Sequence, residues 1–363
     1  MRRRTMIMKL SAVGAAVVGV GALVQAGAAQ HARRAVVPGA NGPIAFARTP
    51  DIWLADSDGS GAHAVTTRLQ PVRAYDPAWA PDGIQLAFTA SGGKTGIWIV
   101  KRDGTGAKQV TTDLNDSGPT WSPDGKKIAF IRSENRAVDL YVVAATGGAA
   151  TDITTGLGRA VDDPEWSPDG SRIAFSDGSD LYLANAGGSG VTKIARSAAR
   201  RATHPSWSPD GSRIAFATLN EIWTVAPDGS GETKLTGDVG EMHEISWSPD
   251  GSQIVYIADV NGPLQEELFV MNADGSNIRR LNVDTDTTLD WGKAICSVPS
   301  VKGKPLASAK SAITKSRCQT GTIRRSYSKT VKNGRVISQL PRPGTLQVDG
   351  GKVNLVVSKG KKR

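Results

Sequence analysis

Short apolar runs, separated by residues that favour turns, recur along the middle of this chain. The clearest is a triplet: Leu86-Ala87-Phe88, Ile128-Ala129-Phe130, Ile173-Ala174-Phe175, Ile214-Ala215-Phe216 and Ile254-Val255-Tyr256. An aromatic-centred run follows each one: Ile97-Trp98-Ile99, Leu140-Tyr141-Val142, Leu181-Tyr182-Leu183, Ile222-Trp223-Thr224 or Leu268-Phe269-Val270. A shorter run then ends the unit, as in Gln109-Val110-Thr111 and Lys234-Leu235-Thr236. Runs this short, rich in β-branched and aromatic residues, predict strands. Pro-Asp-Gly ahead of each triplet predicts a hairpin turn: proline presets φ, aspartate can bond its own backbone, and glycine accepts a positive φ. Asp103-Gly104, Asp228-Gly229 and Asp274-Gly275 serve the next hairpin in the same way. These pairs lack the carboxylate ladder of an EF-hand loop, so turn chemistry accounts for them.

The strands repeat as a unit. Trp-Ser-Pro-Asp-Gly begins at Trp121, Trp166, Trp207 and Trp247, and Trp79-Ala80-Pro81-Asp82-Gly83 is a close variant. Successive tryptophans stand 42, 45, 41 and 40 residues apart, and a further 44 reaches Trp291. A period of about 40–45 residues with four short strands is that of a propeller blade, not of a helical solenoid. Before Trp79 there is an incomplete unit, Ile44-Ala45-Phe46, Ile52-Trp53-Leu54 and Ala64-Val65-Thr66, with no tryptophan strand ahead of it. After the last complete unit, Leu289-Asp290-Trp291 is a first strand with no successors. Together the fragments make a sixth blade, and a closed ring leaves no exposed sheet edge. The expected fold is an all-β six-bladed β-propeller with velcro closure over residues 41–292. The (Asp/His)-x-x-Trp-Ser-Pro-Asp-Gly-x-x-Ile-Ala-Phe units resemble the TolB-type, WD-like propeller repeat over roughly residues 41 to 291. That resemblance speaks to fold more than function, because such repeats also occur in transport-associated binding proteins, in prolyl-oligopeptidase-like peptidases and in some lyases.

Beyond Trp291 the pattern changes. Leu306, Ala309 and Ile313 fall on one face of a predicted helix. Three extended stretches follow, at Gly321-Thr322-Ile323, Gly334–Gln339 and Val353–Ser358, separated by Pro341-Arg342-Pro343-Gly344 and Asp349-Gly350-Gly351. A helix on a three-stranded sheet is the simple α+β solution. The elements Val298-Pro299-x-Val301-x-Gly303, Gly334-x-Val336-Ile337-Ser338-Gln339-x-Pro341-x-Pro343-Gly344 and Val357-Ser358-Lys359-Gly360 strongly resemble a PASTA domain, here placed at 295–360 with a basic tail at 361–363. The resemblance implies binding of peptidoglycan fragments. Both cysteines, Cys296 and Cys318, lie in this module, and an even count in an exported chain points to a disulfide.

Export itself is read from the start of the chain. Arg2, Arg3 and Arg4, an apolar run from Met6 to Val24 and Ala26-Gly27-Ala28 form a signal peptide pattern over 1–29, followed by a linker at 30–40. An uncleaved anchor is the competing reading, since the run nears the ~20 residues that span a bilayer. No later run could do so, so no membrane span is expected once the signal is removed. The location expected is secreted or extracytoplasmic. The overall charge of +10 hides a division. From Gly292 onward, 17 lysines and arginines face one acid, Asp349, for a net of +16; the part between signal and tail carries −10. An acidic body with a basic tail implies different partners for the two.

No nucleophile elbow, His-Glu-x-x-His or phosphate-binding Gly-Lys-Ser/Thr motif is present, so catalysis is not expected and no cofactor is implied. Candidate chemistry is positional. Three residues before each tryptophan stand Asp76, Gly118, Asp163, His204, Glu244 and Thr288, with Asp162 and His243 beside them. Equivalent positions form a ring in a propeller, so Asp76, Asp163, His204 and Glu244 are expected around one end of the central channel as a ligand-binding set. They could instead bond neighbouring backbone amides, or hold a cation. The function expected is binding or scaffolding: a protein or peptide at the propeller face, and peptidoglycan or an anionic wall polymer at the basic module. The alternatives are a wall-acting enzyme and a small-ligand or cation sensor. Nucleic acid is not expected as a partner, because export removes the chain from it and the tail has one aromatic, Tyr327, to stack on bases.

Overall fold

The computed structural model describes residues 40–362, apart from 70–71, 135–136, 156, 196–200, 261–265 and 287. The expected signal at 1–29 and linker residues 30–39 lie outside the described residues, as does Arg363. The first and larger part is all-β and propeller-like. Among the described residues it holds six four-stranded antiparallel sheets. Their first strands are Val72–Trp79, Asp116–Trp121, Asp162–Trp166, Thr203–Trp207, Glu241–Trp247 and Leu289–Lys293. In five sheets the strands follow in chain order. In the sixth, Leu289–Lys293 pairs with Asn41–Arg48, which pairs with Asp51–Ala55 and then His63–Ala64. Ile44 stands opposite Trp291, Ala45 opposite Asp290 and Phe46 opposite Leu289. Each first strand packs against the first strands of two other sheets, and Leu289–Lys293 packs against Val72–Trp79.

The repeated triplet is the centre of each second strand. Its aromatic residue, Phe46, Phe88, Phe130, Phe175, Phe216 or Tyr256, is wholly buried between sheets, a burial that stabilises by about 1.5–3 kcal/mol each. Three of these rings also stack on a third-strand aromatic: Phe130 on Tyr141, Phe175 on Tyr182 and Tyr256 on Phe269, with centroids 5.3–5.9 Å apart. The motif tryptophans close the gaps between neighbouring sheets. Gly292 makes room for one of them, since a Cβ there would stand 2.6 Å from the Trp79 indole.

The rest of the motif is turn chemistry. Ser122 Oγ donates to Asp124 Oδ1 (2.7 Å), which also accepts the Lys126 N–H (3.0 Å). Hydrogen bonding from Ser122 and the Lys126 amide holds the Asp124 carboxyl below its ordinary range. Ser167–Asp169, Ser208–Asp210 and Ser248–Asp250 repeat the contact. At the outer side, a threonine after the short fourth strand completes the ladder. Thr66, Thr111, Thr154 and Thr236 each accept a backbone N–H of the third strand, from Ile52, Ile97, Leu140 and Ile222, at 2.8–3.0 Å.

The C-terminal part is α+β. Its helix, Leu306–Lys315, buries Ala309 and Ile313 against Val336, Val353, Leu355 and Val357. The sheet runs Gln319–Ser326, Lys352–Ser358, Val336–Leu340, with the first pair parallel. A second, two-stranded sheet joins Ile295–Ser297 to Leu346–Val348, an element the sequence pattern does not reveal. Cys296 and Cys318 are disulfide-bonded with Cα atoms 5.3 Å apart, tying that short strand to the end of the helix. No helix among the described residues is long and apolar enough to cross a membrane.

Candidate functional site: an acidic cavity between the first strands

Each of the first five first strands breaks its pairing just before the tryptophan. Register shifts fall between Tyr75 and Ala78, Ser117 and Thr120, Asp162 and Glu165, Thr203 and Ser206, and Met242 and Glu244. In four of them proline follows the bulged residue (Pro77, Pro119, Pro164, Pro205) and offers no ladder N–H. The bulged residue takes a left-handed conformation: φ is 51° at Asp76, 59° at Gly118, 49° at Asp163 and 49° at His204. Three of these are not glycine, and such backbone is uncommon outside functional or over-determined sites.

The bulge turns the residue's N–H toward the preceding sheet of the ring. Gly118 N–H donates to Asp76 Oδ2 (3.2 Å), Asp76 N–H to Thr288 Oγ1 (3.1 Å) and His204 N–H to Asp163 Oδ2 (3.0 Å). A second tier lies at the residue before each tryptophan. Trp79 N–H donates to Asp290 Oδ2 (2.7 Å), Trp207 N–H to Glu165 Oε2 (2.8 Å), Trp247 N–H to Ser206 Oγ (3.1 Å) and Trp291 N–H to Ser246 Oγ (3.3 Å). Two belts of side chain to backbone bonds thus link sheet to sheet where the six first strands converge.

Inside the belts is a cavity of about 450 Å³, lined by residues of all six first strands. Asp76, Asp163, His204 and Glu244 all line it, with Asp162 and His243. So do Glu165 and Asp290, which the repeat pattern does not single out. The lining holds six carboxylates and neither lysine nor arginine. Burial raises the ionisation of Asp76, Asp162 and Asp163 to about 6, and neighbouring carboxylates push Asp76 and Asp162 further the same way. Burial lifts Glu165 and Glu244 well above the usual range and raises Asp290. His204, 3.6 Å from Asp163 through Nε2, is lowered to about 4 by burial and is neutral at pH 7. A cation entering this space would find charge already gathered and partly desolvated, where it is worth most.

The mouth is distinctive too. Strand pairing sets the second-to-third-strand turns and the loops leading into first strands at the same end as the bulges. Tyr75, Leu114, Leu219 and Val260 are exposed there, Leu114 by 74% and Leu219 by 58%. Exposed apolar residues therefore stand at the same end of the sheets as the bulges, outside the cavity lining. In the C-terminal module the sheet face away from the helix carries a smaller groove, of about 320 Å³, lined by residues that include Thr322, Arg324, Ser338, Leu340, Asn354 and Val356, with no acid among them.

Comparison with known proteins agrees with both parts. Residues 44–218 match the TolB beta propeller domain and residues 297–359 match the PASTA domain. The crystal structure of TolB from Acinetobacter baumannii is similar at a TM-score of 0.60 and 22% identity, covering 69% of this chain and 66% of that one. An oligogalacturonate lyase of Vibrio parahaemolyticus is similar at 0.50 and 17%, covering 69% and 77%. At these identities the likeness is one of fold. A probable serine/threonine-protein kinase of Clostridium acetobutylicum is 33% identical over 90 residues, which are 24% of this chain and 12% of the kinase. The chain thus spans only a small part of that relative. Repeat, sheet topology and family matches converge: this chain carries a TolB-type β-propeller domain followed by a C-terminal PASTA domain.

Proposed function

We propose that this is an extracytoplasmic binding protein with two separate points of attachment. The propeller, residues 41–292 read as six blades closed by the pairing of Leu289–Trp291 with Ile44–Phe46, takes a cationic group of a protein or peptide into its axial cavity. The PASTA module, residues 295–360, holds the chain to the cell wall. One observation carries the reading: six carboxylates converge on a cavity whose lining has neither lysine nor arginine, with exposed apolar residues at the same end of the sheets. A desolvated pocket surrounded by contacts that exclude water is where binding energy concentrates at an interface. A partner would press apolar side chains on Tyr75, Leu114, Leu219 or Val260 and send a lysine, arginine or amino terminus inward.

The acidic lining makes binding pH-dependent. A bound cation favours the ionised carboxylates, so protons leave as it binds and affinity falls as pH drops through about 6. The test is fluorescence polarisation of the full chain with labelled peptides that present one arginine between apolar residues, against the same peptides with glutamate. Arginine peptides are expected to bind at pH 7.5, to weaken several-fold at pH 5, and to weaken when Asp163→Asn and Glu244→Gln are introduced. Equal binding of both peptide sets would overturn the propeller half of the proposal.

A further inference from the structure

One group of side chains at the cavity mouth is left unused by this reading. His243 lies on the bulged part of Glu241–Trp247, Asp259 ends the second strand Gln253–Asp259, and Glu266 opens the third strand Glu266–Asn272. Strand pairing sets Asp259 directly opposite Glu266, where two like charges destabilise a sheet. His243 Nε2 approaches Asp259 Oδ2 at 3.4 Å. One ligand atom from each of the three residues lies within 4.8 Å of the other two. His243 Nε2 is buried and makes no hydrogen bond, which is a cost for any polar atom.

A single cation would offset the opposed carboxylates and take the imidazole nitrogen as a ligand, where the structure gives that nitrogen only its 3.4 Å approach to Asp259 Oδ2. We propose that His243, Asp259 and Glu266 hold a divalent transition-metal ion of the Mn²⁺ or Zn²⁺ class on the fifth sheet. An imidazole with two carboxylates suits these ions better than Ca²⁺ or Mg²⁺, which take oxygen ligands. Bonds of about 2.0–2.2 Å place ligand atoms no more than about 4.4 Å apart, so side-chain shifts of a few tenths of an ångström close the site. Three protein ligands leave a position for water or for a donor brought by a partner. The site stands on residues of one sheet and does not depend on the cavity receiving a cationic group.

The test uses the full chain, stripped with chelator and dialysed against Mn²⁺ or Zn²⁺ alone, with bound metal counted per chain. One equivalent of at least one of these ions is expected. His243→Ala and Glu266→Gln should each weaken it at least about tenfold, with circular dichroism checking that both variants fold. Bound Mn²⁺ should show a coupled histidine nitrogen by pulsed electron paramagnetic resonance, and lose it in His243→Ala. Asp76→Asn and Asp163→Asn should leave the affinity within about twofold. The proposal falls if neither ion binds stoichiometrically, or if binding survives in both His243→Ala and Glu266→Gln. It falls too if Asp76→Asn and Asp163→Asn are the variants that abolish binding, for the ion then sits among the axial carboxylates.

Discussion

Asp163 shows what the cavity costs. Its Oδ2 accepts the His204 amide, yet burial lifts its ionisation from 3.8 to about 6. The folded chain therefore holds more protons than the unfolded one between about pH 4 and 6. Stability from this group is greatest in acid and is lost as pH rises through that window. His204 acts in the opposite sense: burial depresses it to about 4, so its contribution is lost as pH falls from about 6.5 to 4. Asp163→Asn keeps an oxygen for the His204 amide and removes the charge. It should stabilise the fold at pH 7.5 by about 1–2 kcal/mol and change little at pH 3.5, as read by urea unfolding at the two values. Equal effects at both would mean that the carboxylate is not strained by its surroundings. At this scale the sequence is legible where a marker sets the register. Asp76, Asp163, His204 and Glu244 are found by counting back from tryptophan. Glu165 and Asp290 are not, because the same position in other repeats is Ala78, Thr120, Ser206 or Ser246, and nothing local marks it as facing a cavity.

At the scale of the element, the short strands are legible because their centres are apolar and their turns are chemically marked. Phe130 is fully exposed to this logic: it lies between Tyr141 and the neighbouring sheet with no solvent contact. Phe130→Ala should cost about 3–5 kcal/mol, measured from the midpoint of chemical denaturation; a loss under 1 kcal/mol would contradict the packing. In the PASTA domain the helix and three strands are visible from apolar spacing. The pair Ile295–Ser297 and Leu346–Val348 is not, since three residues carry too little alternation to be told from loop. The disulfide compensates for these short strands by restricting the unfolded chain. Replacing both Cys296 and Cys318 by alanine should lower the module's stability by about 3 kcal/mol. Calorimetry should show that loss in one transition and leave the propeller's untouched; a shift in both would mean that the two parts unfold as one.

For the whole molecule, topology and charge lead to two measurements. If Leu289–Trp291 is the clasp of the ring, a chain ending at Val283 leaves the Asn41–Arg48 edge unpaired, whereas one ending at Gly292 keeps it. The shorter chain should melt well below the longer, and equal melting would remove the closure argument. Charge concerns the other end. The segment from Gly292 carries +16 while the body carries −10, and the groove on its open sheet face includes Arg324 and no acid. A field of that sign draws polyanions and weakens as salt screens it, with a Debye length of about 10 Å at 0.1 M and 3 Å at 1 M. Outside a bacterial membrane the abundant polyanions are the wall and its anionic polymers. The full chain should therefore sediment with purified wall material at low salt and be partly released near ~0.5 M. The chain truncated after Gly292 should stay in solution, since its acidic surface is repelled by the same polymers. Retention that persists at ~1 M salt would mark specific contact with a wall fragment in the groove beyond the field alone, and Arg324→Ala should reduce that remnant. If the full chain stays in solution at every salt concentration, the tether is wrong and the propeller alone must account for what the protein binds.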